Sequence, residues 1–177
     1  MNVLEKVRFR DAIKADIPAL IALVESAYRG DASRQGWTTE ADLLDGQRID
    51  RQGLEADLDA EQSRIILACD GDTILACAHI AVENGAGYFG MFSVRPELQG
   101  SGLGKYLMRY AESEVKQAFG MTVMRMTVID IREELIAFYE RRGYHRTGIK
   151  KPFPYGDARF GLPRRADLQF EVLEKVL

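Results

Sequence analysis

The sequence predicts a mixed α/β fold in which strands lead into a glycine-rich loop. Three runs rich in apolar residues, 63–69, 73–82 and 87–94, are separated by the short turns Asp70-Gly71-Asp72 and Asn84-Gly85, which are typical of antiparallel hairpins. A glycine-rich stretch, an amphipathic helix and another strand follow. Because such a connection makes its two strands parallel, these observations predict a sheet with both antiparallel and parallel neighbours.

A strand and a helix precede these three runs. Residues 7–10 alternate as a short strand does. Asp16 and Pro18 mark the start of a helix, with the aspartate near the cap and the proline in the first turn. An apolar face continues to about Tyr28, and Gly30 ends the helix.

Residues 30–39 form the least regular polar stretch of the first half and include the only tryptophan, Trp37. A loop with an aromatic residue and scattered polar groups either lines a pocket or packs down on the surface, and both interpretations stay open. Thr39 could cap a short helix through Leu44, and a second helix is predicted over residues 50–58.

Helices and strands alternate after the glycine-rich stretch. Apolar residues recur every three or four positions over 103–119, which predicts an amphipathic helix, and Gly120 stands where a left-handed cap is expected. The remaining predicted elements are a strand at 122–128, a helix at 131–142 capped by Gly143, a strand at 144–150, a loop at 151–163 and a last strand at 168–176.

The composition limits the classes of protein to which the chain can belong. Its 177 residues suit a single domain, 1–177, and the net charge of −3 with interspersed signs argues against nucleic acid as a partner. Neither a long apolar run nor a signal-peptide pattern occurs, so we expect no membrane partner and a cytoplasmic location. Cys69, Cys77 and His79 are too few for a zinc site, so we predict no metal and two buried, reduced thiols.

The stretch from Gln99 to Lys105 has glycine at every second position between these two residues. It lies between a strand and a helix, where free N–H groups and the positive end of the helix dipole favour phosphate. Spacing excludes two better-known loops. A dinucleotide fingerprint would need glycine at Lys105 or Leu107, and a Walker loop would need glycine at Gln99 and serine or threonine at Tyr106.

Two motifs resemble those of one enzyme family. Gln99, Gly102 and Gly104 resemble the acyl-CoA-binding signature of the GNAT superfamily of N-acetyltransferases, and residues 135–144 resemble its downstream motif, an apolar helix with Phe-Tyr, a charged pair, glycine and an aromatic residue. The resemblance implies a strongly twisted mixed sheet of six or seven strands flanked by about four helices. Two parallel strands would splay apart to admit the pantetheine arm of acetyl-CoA.

The resemblance also implies roles for single residues. The backbone amides of the loop would bind the pyrophosphate, and Phe92 and Val94 would pair with pantetheine as an added strand does. Tyr139 would be the general acid that protonates the departing CoA thiolate. The implied cofactor-binding residues are Phe92, Ser93, Val94, Gln99, Gly100, Ser101, Gly102, Leu103, Gly104, Lys105 and Tyr139.

The chain departs from the family pattern at Arg132 and Leu135, where many members have asparagine and alanine. Arg132 could contact a CoA phosphate or an acidic substrate group, or begin its helix in solvent, and we favour solvent. The strand before the loop has no carboxylate, so a general base must lie elsewhere. We prefer Asp130, which follows a strand, although a desolvated amine could need no strong base. The other candidates are Glu83, His79 and Glu25.

Taken together, the motifs predict an enzyme that transfers an acetyl group from acetyl-CoA to a primary amine of a small molecule or peptide by direct attack. The acceptor pocket would form from residues 30–40, 50–58 and 151–163. Three basic residues near the last segment could bind a carboxylate on the acceptor: Lys151, Arg164 and Arg165. The alternatives are a non-catalytic acyl-CoA sensor and a protein lysine acetyltransferase.

The last predicted strand has a bearing on assembly. We expect it to be exposed at the edge of the sheet, where it could support a homodimer. Its charged residues, Glu171, Glu174 and Lys175, could equally prevent pairing between chains.

Overall fold

The computed structural model describes residues 2–177, so Met1, which belongs to the predicted domain 1–177, lies outside the described residues. The strands are β1 (Arg8–Asp11), β2 (Leu44–Asp45), β3 (Ser63–Asp70), β4 (Thr73–Glu83), β5 (Ala86–Val94), β6 (Val123–Ile129), β7 (His145–Pro152), β8 (Leu162–Pro163) and β9 (Gln169–Val176). The α-helices are α1 (Val3–Lys6), α2 (Ile17–Tyr28), α3 (Arg51–Asp59), α4 (Leu103–Gln117) and α5 (Glu133–Glu140). Within residues 2–177, none of the helices combines the length and the apolar character that crossing a bilayer requires.

Seven of the strands form one sheet in the order β1-β3-β4-β5-β6-β9-β7. Neighbours pair antiparallel except β5 and β6, which are parallel. The parallel pair arises because helix α4 carries the chain from the end of β5 back to the start of β6. The predicted mixed sheet, its strand number and its parallel pair are therefore confirmed.

Helices cover both faces of the sheet, and strand β3 shows how the sequence achieves this. Ile65 and Leu67 pack with residues of α2 and α3, whereas Ile66 and Ala68 pack with residues of α4 on the opposite face. Successive side chains of a strand point to opposite faces, so a strand buried on both sides has a continuous apolar run. The sheet thus lies between two apolar clusters.

The helix predicted after Thr39 is wrong. The backbone instead makes one turn, in which the amides of Leu43 and Leu44 each donate to the Glu40 carbonyl at 2.9 Å, and Leu44 then enters β2. The Thr39 hydroxyl caps only this turn, because it accepts the amide of Ala41 at 3.1 Å. Strand β2 pairs with β8 over two residues, which is too short for a periodic pattern.

The predicted last strand exists, but its position corrects the expectation of an exposed edge. Strand β9 lies between β6 and β7, so it cannot offer an edge for a homodimer. Glu171 is buried at 3% exposure, and its carboxylate accepts from Arg146 Nε at 2.6 Å and from Lys150 Nζ at 2.7 Å. Glu171, one of the charged residues expected to prevent pairing between chains, therefore forms a buried ionic link between β9 and β7.

This ionic link makes stability depend on pH. The hydrogen bonds from Arg146 and Lys150 lower the pKa of Glu171 to about 2, below its value in an unfolded chain. The carboxylate therefore contributes stability above about pH 4.5 and loses that contribution as the pH falls towards 2. We expect Glu171→Gln to lower the free energy of unfolding at pH 7 by about 2 kcal/mol, less than the full linkage value because both basic partners are partly exposed.

Urea denaturation between pH 7 and pH 2 measures this contribution. The difference between the wild-type protein and Glu171→Gln should shrink as the pH falls below about 4.5. Glu133→Gln is the control, since Glu133 also pairs with Arg146 but its side chain is 71% exposed. A difference that stays constant with pH would contradict the proposed link.

Candidate active site

The β5–β6 ladder breaks after two paired positions. Gly87 pairs with Met124 and Tyr88 pairs with Arg125, and no further pairs follow within residues 2–177. On the other side of β5, the register with β4 shifts between Cys77 and His79, opposite Met91, whose φ of 51° is left-handed. A bulge of this kind bends the strand away from its neighbour. The last part of β5 therefore borders open space, as the predicted splay requires.

One space lies on each side of this break: a cavity of about 370 Å³ on one side and a groove of about 470 Å³ on the other. Phe92 lines both, so the two spaces meet there. The larger space, here called the donor groove, has an apolar wall in which Phe138 lies 5.4 Å from Trp37 and 6.4 Å from Phe92 between ring centroids. The full lining of the donor groove is Trp37, Thr38, Phe92, Val94, Gln99, Gly100, Gly102, Gly104, Lys105, Glu134, Phe138, Arg141 and Arg142.

Free backbone amides of the glycine loop lie at this groove. The amides of Gly100, Gly102, Gly104 and Lys105 have no backbone acceptor within residues 2–177. Gly100 and Gly102 have φ values of 86° and 88°, a left-handed conformation that residues with a Cβ rarely adopt. Two other amides predicted to bind phosphate are already used: that of Gln99 donates to the Pro96 carbonyl at 3.3 Å, and that of Leu103 donates to the Ser101 hydroxyl at 3.3 Å.

The Gln99 side chain acts as a clamp. Its Oε1 accepts the amides of Trp37 at 2.8 Å and Thr38 at 3.3 Å, and its Nε2 donates to the Thr38 hydroxyl at 2.8 Å and the Val94 carbonyl at 3.1 Å. A Cβ at Gly36 would lie 2.3 Å from Oε1, so glycine is needed for this close approach. The clamp fixes residues 36–38 against the end of β5. It also occupies the Val94 carbonyl, which the sequence predicts to be free for pairing with pantetheine.

The structure brings together seven of the implied cofactor-binding residues at the donor groove: Phe92, Val94, Gln99, Gly100, Gly102, Gly104 and Lys105. Three others do not line it. The Ser93 hydroxyl donates to the Met91 carbonyl at 3.2 Å, the Ser101 hydroxyl caps the start of α4, and Leu103 is fully buried in the core. Their side chains are therefore structural.

Tyr139 lines the second space, a cavity of about 370 Å³ here called the acceptor cavity. The residue is buried, and its hydroxyl makes no hydrogen bond within residues 2–177. Burial raises the pKa of this hydroxyl, so it keeps its proton at neutral pH. Its ring centroid lies 6.4 Å from that of Phe92, where the two spaces meet. Tyr139 is thus a free proton donor beside the break in the sheet.

Asp130, the preferred base, lies outside both spaces. Its carboxylate pairs with Lys150 Nζ at 3.2 Å, and it is absent from the lining of the acceptor cavity. Glu25 is also structural, because its Oε1 accepts the amide of Arg48 at 2.6 Å. Glu83 is the last residue of β4 and lines neither space.

His79 is the candidate base that the structure does bring to the cavity. It pairs across the ladder with Gly90, one residue before the bulge, and its Nε2 lies 2.7 Å from the Ser63 hydroxyl. Asp57 Oδ2 lies 3.8 Å from its Nδ1. Burial lowers the pKa of His79, so the imidazole is neutral and able to accept a proton at neutral pH.

A layer of buried charge closes the other end of the cavity. Glu40 pairs with Arg29 through Oε1 and with Arg132 through Oε2 at 3.2 Å. Burial alone would raise the pKa of Glu40, but the surrounding arginines hold it below its usual value, so the carboxylate stays ionised. Arg132 also donates to the Thr38 carbonyl at 2.6 Å. The expectation that Arg132 begins its helix in solvent is therefore wrong.

Sequence reasoning missed several residues of the site. The sequence pattern marks Tyr28 only as the end of a helix, yet its hydroxyl donates to the Phe92 carbonyl. Glu40 and Arg48 come from irregular segments without a motif, and only the choice of the 30–40 segment as a pocket wall pointed towards Glu40. Phe138 lies within the downstream motif and could have been assigned from it.

The comparisons with known proteins identify the family. Residues 23–144 match the family model described as Acetyltransferase (GNAT) family. The chain belongs to the GNAT acetyltransferase family. Its membership confirms the predicted resemblance and the predicted enzyme class, an acetyl-CoA-dependent acyltransferase. Comparison with curated protein sequences finds no match.

Solved structures of other GNAT proteins share its fold. The ribosomal-protein-S18-alanine N-acetyltransferase from Escherichia coli is 14% identical with a TM-score of 0.69, covering 96% of this chain and 93% of that chain. A GNAT family acetyltransferase from Elizabethkingia anophelis, solved with acetyl-CoA bound, is 14% identical with a TM-score of 0.67, covering 98% and 99%. An N-acetyltransferase from Staphylococcus aureus Mu50 is 10% identical with a TM-score of 0.71, covering 96% and 97%. At such identities the likeness shows the GNAT fold alone.

The closeness of the loop to β5 can be tested at Gly104. A Cβ there would lie 2.9 Å from Phe92 Cζ, so Gly104→Ala must displace the ring at the mouth of the donor groove. We expect the Kd for acetyl-CoA, measured by calorimetry, to rise about tenfold, equivalent to about 1.4 kcal/mol. Gly53→Ala is the matched control, because Gly53 also lies in the first turn of a helix but outside both spaces. Equal affinities in all three proteins would contradict the placement of acetyl-CoA between the glycine loop and Phe92.

Proposed function

We propose that this GNAT protein transfers an acetyl group from acetyl-CoA to the primary amine of a small molecule or peptide by direct attack on the thioester. One observation carries the proposal. The donor groove, with four free amides, and the acceptor cavity, with the free hydroxyl of Tyr139, meet at Phe92 where the sheet opens. An acyl donor and an amine can therefore approach each other from opposite sides of β5.

The residues of the donor groove fit acetyl-CoA in their chemistry. Free amides before and within the first turn of a helix suit a pyrophosphate, and Lys105, Arg141 and Arg142 add positive charge against the single carboxylate of Glu134. The apolar wall of Trp37 and Phe138 suits the pantetheine arm. Gly100, Gly102, Gly104 and Lys105 would bind the phosphates, and β5 would align the thioester.

Tyr139 would complete the transfer as the general acid. When the neutral amine attacks the thioester carbonyl, a C–N bond forms and the C–S bond breaks, which leaves a thiolate and a proton on nitrogen. The Tyr139 hydroxyl has no competing acceptor, and burial raises its pKa, so it is protonated when the thiolate develops charge. It would give its proton to sulfur, and the proton that leaves the nitrogen would restore the hydroxyl, directly or through one water molecule. No covalent intermediate on the enzyme is required.

His79 takes the place of Asp130 in the proposed mechanism. The Ser63 hydroxyl donates to the Asp57 carbonyl at 2.7 Å, so it accepts from His79 Nε2 and leaves Nδ1 as the basic nitrogen. Nδ1 would remove the proton from the acceptor ammonium, directly or through one water molecule. Asp57, 3.8 Å from Nδ1, would stabilise the imidazolium that forms. Asp130 is already paired with Lys150 and faces neither space.

The shape of the acceptor cavity favours a small amine over a protein lysine. Arg29 donates to the Phe160 carbonyl at 3.2 Å. This hydrogen bond joins the residue before the 30–40 segment to the 151–163 segment, and the two segments close the cavity. The loop residues Phe153, Pro154 and Phe160 form one wall. A cavity of about 370 Å³ accommodates a small molecule or the end of a peptide rather than an extended chain. We propose that residues 1–177 work as one such domain, and a cytoplasmic location stays a prediction.

The role of Tyr139 is tested by Tyr139→Phe. We expect kcat to fall about 100-fold, since general acid catalysis contributes at least this much, while the Kd for acetyl-CoA stays within about twofold. Release of CoA thiol measures kcat, and calorimetry measures the Kd. Tyr144→Phe is the control, because the buried Tyr144 hydroxyl also lacks a partner and its ring lies 6.1 Å from that of Tyr139, yet it lines neither space. An unchanged kcat in Tyr139→Phe would remove this residue from the mechanism.

The role of His79 predicts a pH dependence. Its pKa lies below the usual value of 6.5, so the neutral base persists at pH 7 and is lost only as the pH falls below 6.5. For a given acceptor, His79→Gln should lower kcat about 100-fold at pH 7 and remove the fall in kcat on the acid side of the profile. Asp70→Asn, at the exposed end of β3, should leave the profile unchanged. An acid limb that survives in His79→Gln would assign it to another group.

Binding of acetyl-CoA without turnover for any amine would favour the sensor alternative. Turnover with protein lysines but not with small amines would favour a protein lysine acetyltransferase.

A further inference from the structure

The charged end of the acceptor cavity contains more arginines than its carboxylate can pair. Arg29, Arg48 and Arg132 all line this end, together with one carboxylate, Glu40. Both oxygens of Glu40 are used, Oε1 by Arg29 and Oε2 by Arg132. The other carboxylate of the lining, Asp57, faces His79. One arginine, Arg48, is therefore left without a partner.

The Arg48 guanidinium donates no hydrogen bond and lies beyond ion-pair distance of every carboxylate in residues 2–177, so Glu40 acts on its charge only from a distance. Its Nε is shielded from solvent. Its Cζ lies 4.3 Å from the ring centroid of Tyr28, so the guanidinium stacks on that ring. A cation–π contact stabilises the charge but satisfies none of its N–H donors in the guanidinium plane.

Two hydrogen bonds fix this arrangement relative to β5. The backbone amide of Arg48 donates to Glu25 Oε1 at 2.6 Å, which holds the segment against α2. The Tyr28 hydroxyl donates to the Phe92 carbonyl, so the ring under the guanidinium is attached to the strand at which the two spaces meet. The unpaired arginine thus has a defined position next to the proposed reaction site.

An unpaired, partly buried guanidinium is a binding site for an oxyanion. Arginine stays charged at any relevant pH, and its planar fork matches a carboxylate with two parallel hydrogen bonds. Leaving the buried Nε without an acceptor is unfavourable. A ligand carboxylate would supply an acceptor and balance the excess charge at this end of the cavity.

We propose, on the basis of the proposed function, that the acetyl acceptor is a small amino acid whose carboxylate binds Arg48. The Tyr28 ring contacts the guanidinium on its face and the Phe92 carbonyl through its hydroxyl. A carboxylate on Arg48 and an amine beside Phe92 would therefore be close together, as they are in an amino acid. A protein lysine has no free carboxylate beside its amine. A peptide N-terminus likewise has none next to its α-amine.

The basic residues that the sequence offered for this role are used elsewhere. Arg164 pairs with Asp45 at 2.8 Å, and Arg165 pairs with Asp167 at 2.6 Å, both at the surface. Lys151 is exposed and does not line the acceptor cavity. Arg48 therefore replaces Lys151, Arg164 and Arg165 as the proposed carboxylate-binding residue.

The experiment uses the full chain with acetyl-CoA and the twenty standard amino acids, each compared with its amide and its decarboxylated amine. Release of CoA thiol measures acetylation, and thermal denaturation of the acetyl-CoA-loaded protein measures binding independently. We expect at least one amino acid to be acetylated with a kcat/KM about 100-fold above that of its amide, and to raise the Tm of the loaded protein.

Arg48→Gln should raise the KM for that amino acid about 100-fold, while the KM for its amide and the Kd for acetyl-CoA change less than about twofold. Arg48→Lys should recover only part of the affinity, because an ammonium lacks the planar fork. The Tm of the unliganded Arg48→Gln protein should be unchanged or higher, since an unpaired charge is removed. Arg51→Gln is the control, because Arg51 is 58% exposed and pairs with Glu55 on α3.

Several results would overturn the proposal. These are a better rate with an amide or a decarboxylated amine than with any amino acid, an equal KM in Arg48→Gln, or no rise in Tm with any of the amino acids. With acetyl-CoA binding intact, each of these outcomes removes the amino acid as acceptor and leaves the acetyltransferase function standing. Failure of acetyl-CoA to bind would instead overturn the proposed function itself, and this inference with it.

Discussion

The interruption of pairing between β5 and β6 is the constraint on which the rest of the site depends. A sheet that stops pairing in its interior leaves backbone groups that need other partners. Here the Tyr28 hydroxyl satisfies the Phe92 carbonyl, and Gln99 Nε2 satisfies the Val94 carbonyl. Both donors also organise their surroundings, because Tyr28 underlies Arg48 and Gln99 fixes residues 36–38. The architecture of both spaces therefore follows from completing the hydrogen bonds of one strand.

Much of the fold could be predicted because its signals are local. The apolar period of α4, the hairpin turns between β3, β4 and β5, and the glycine loop each depend on neighbouring residues, and the structure confirms them. The position of β9 could not be predicted, because the alternation that marks a strand does not say which strands lie beside it. Tyr139 could be identified because it lies in a motif. Glu40 and Arg48 lie in irregular segments, where charged residues follow no repeating pattern and their partners depend on the tertiary structure.

One short loop serves both spaces. Trp37 and Thr38 line the donor groove, Glu40 lines the acceptor cavity, and Arg132 contacts this loop at both the Thr38 carbonyl and the Glu40 carboxylate. The glutamine of the family signature holds the same loop through its side chain. A ligand in either space would contact this loop, so a shift of the loop would change both spaces.

The place of β9 has a consequence for the synthesis of the protein. Strand β9 pairs with both β6 and β7. These two strands therefore lack their shared neighbour until Gln169–Val176 have left the ribosome. Until then β6 has only its two-position pairing with β5, and apolar surface stays exposed on an incomplete sheet. Domains generally fold as units during translation. The native sheet can therefore form only after Gln169–Val176 have been translated.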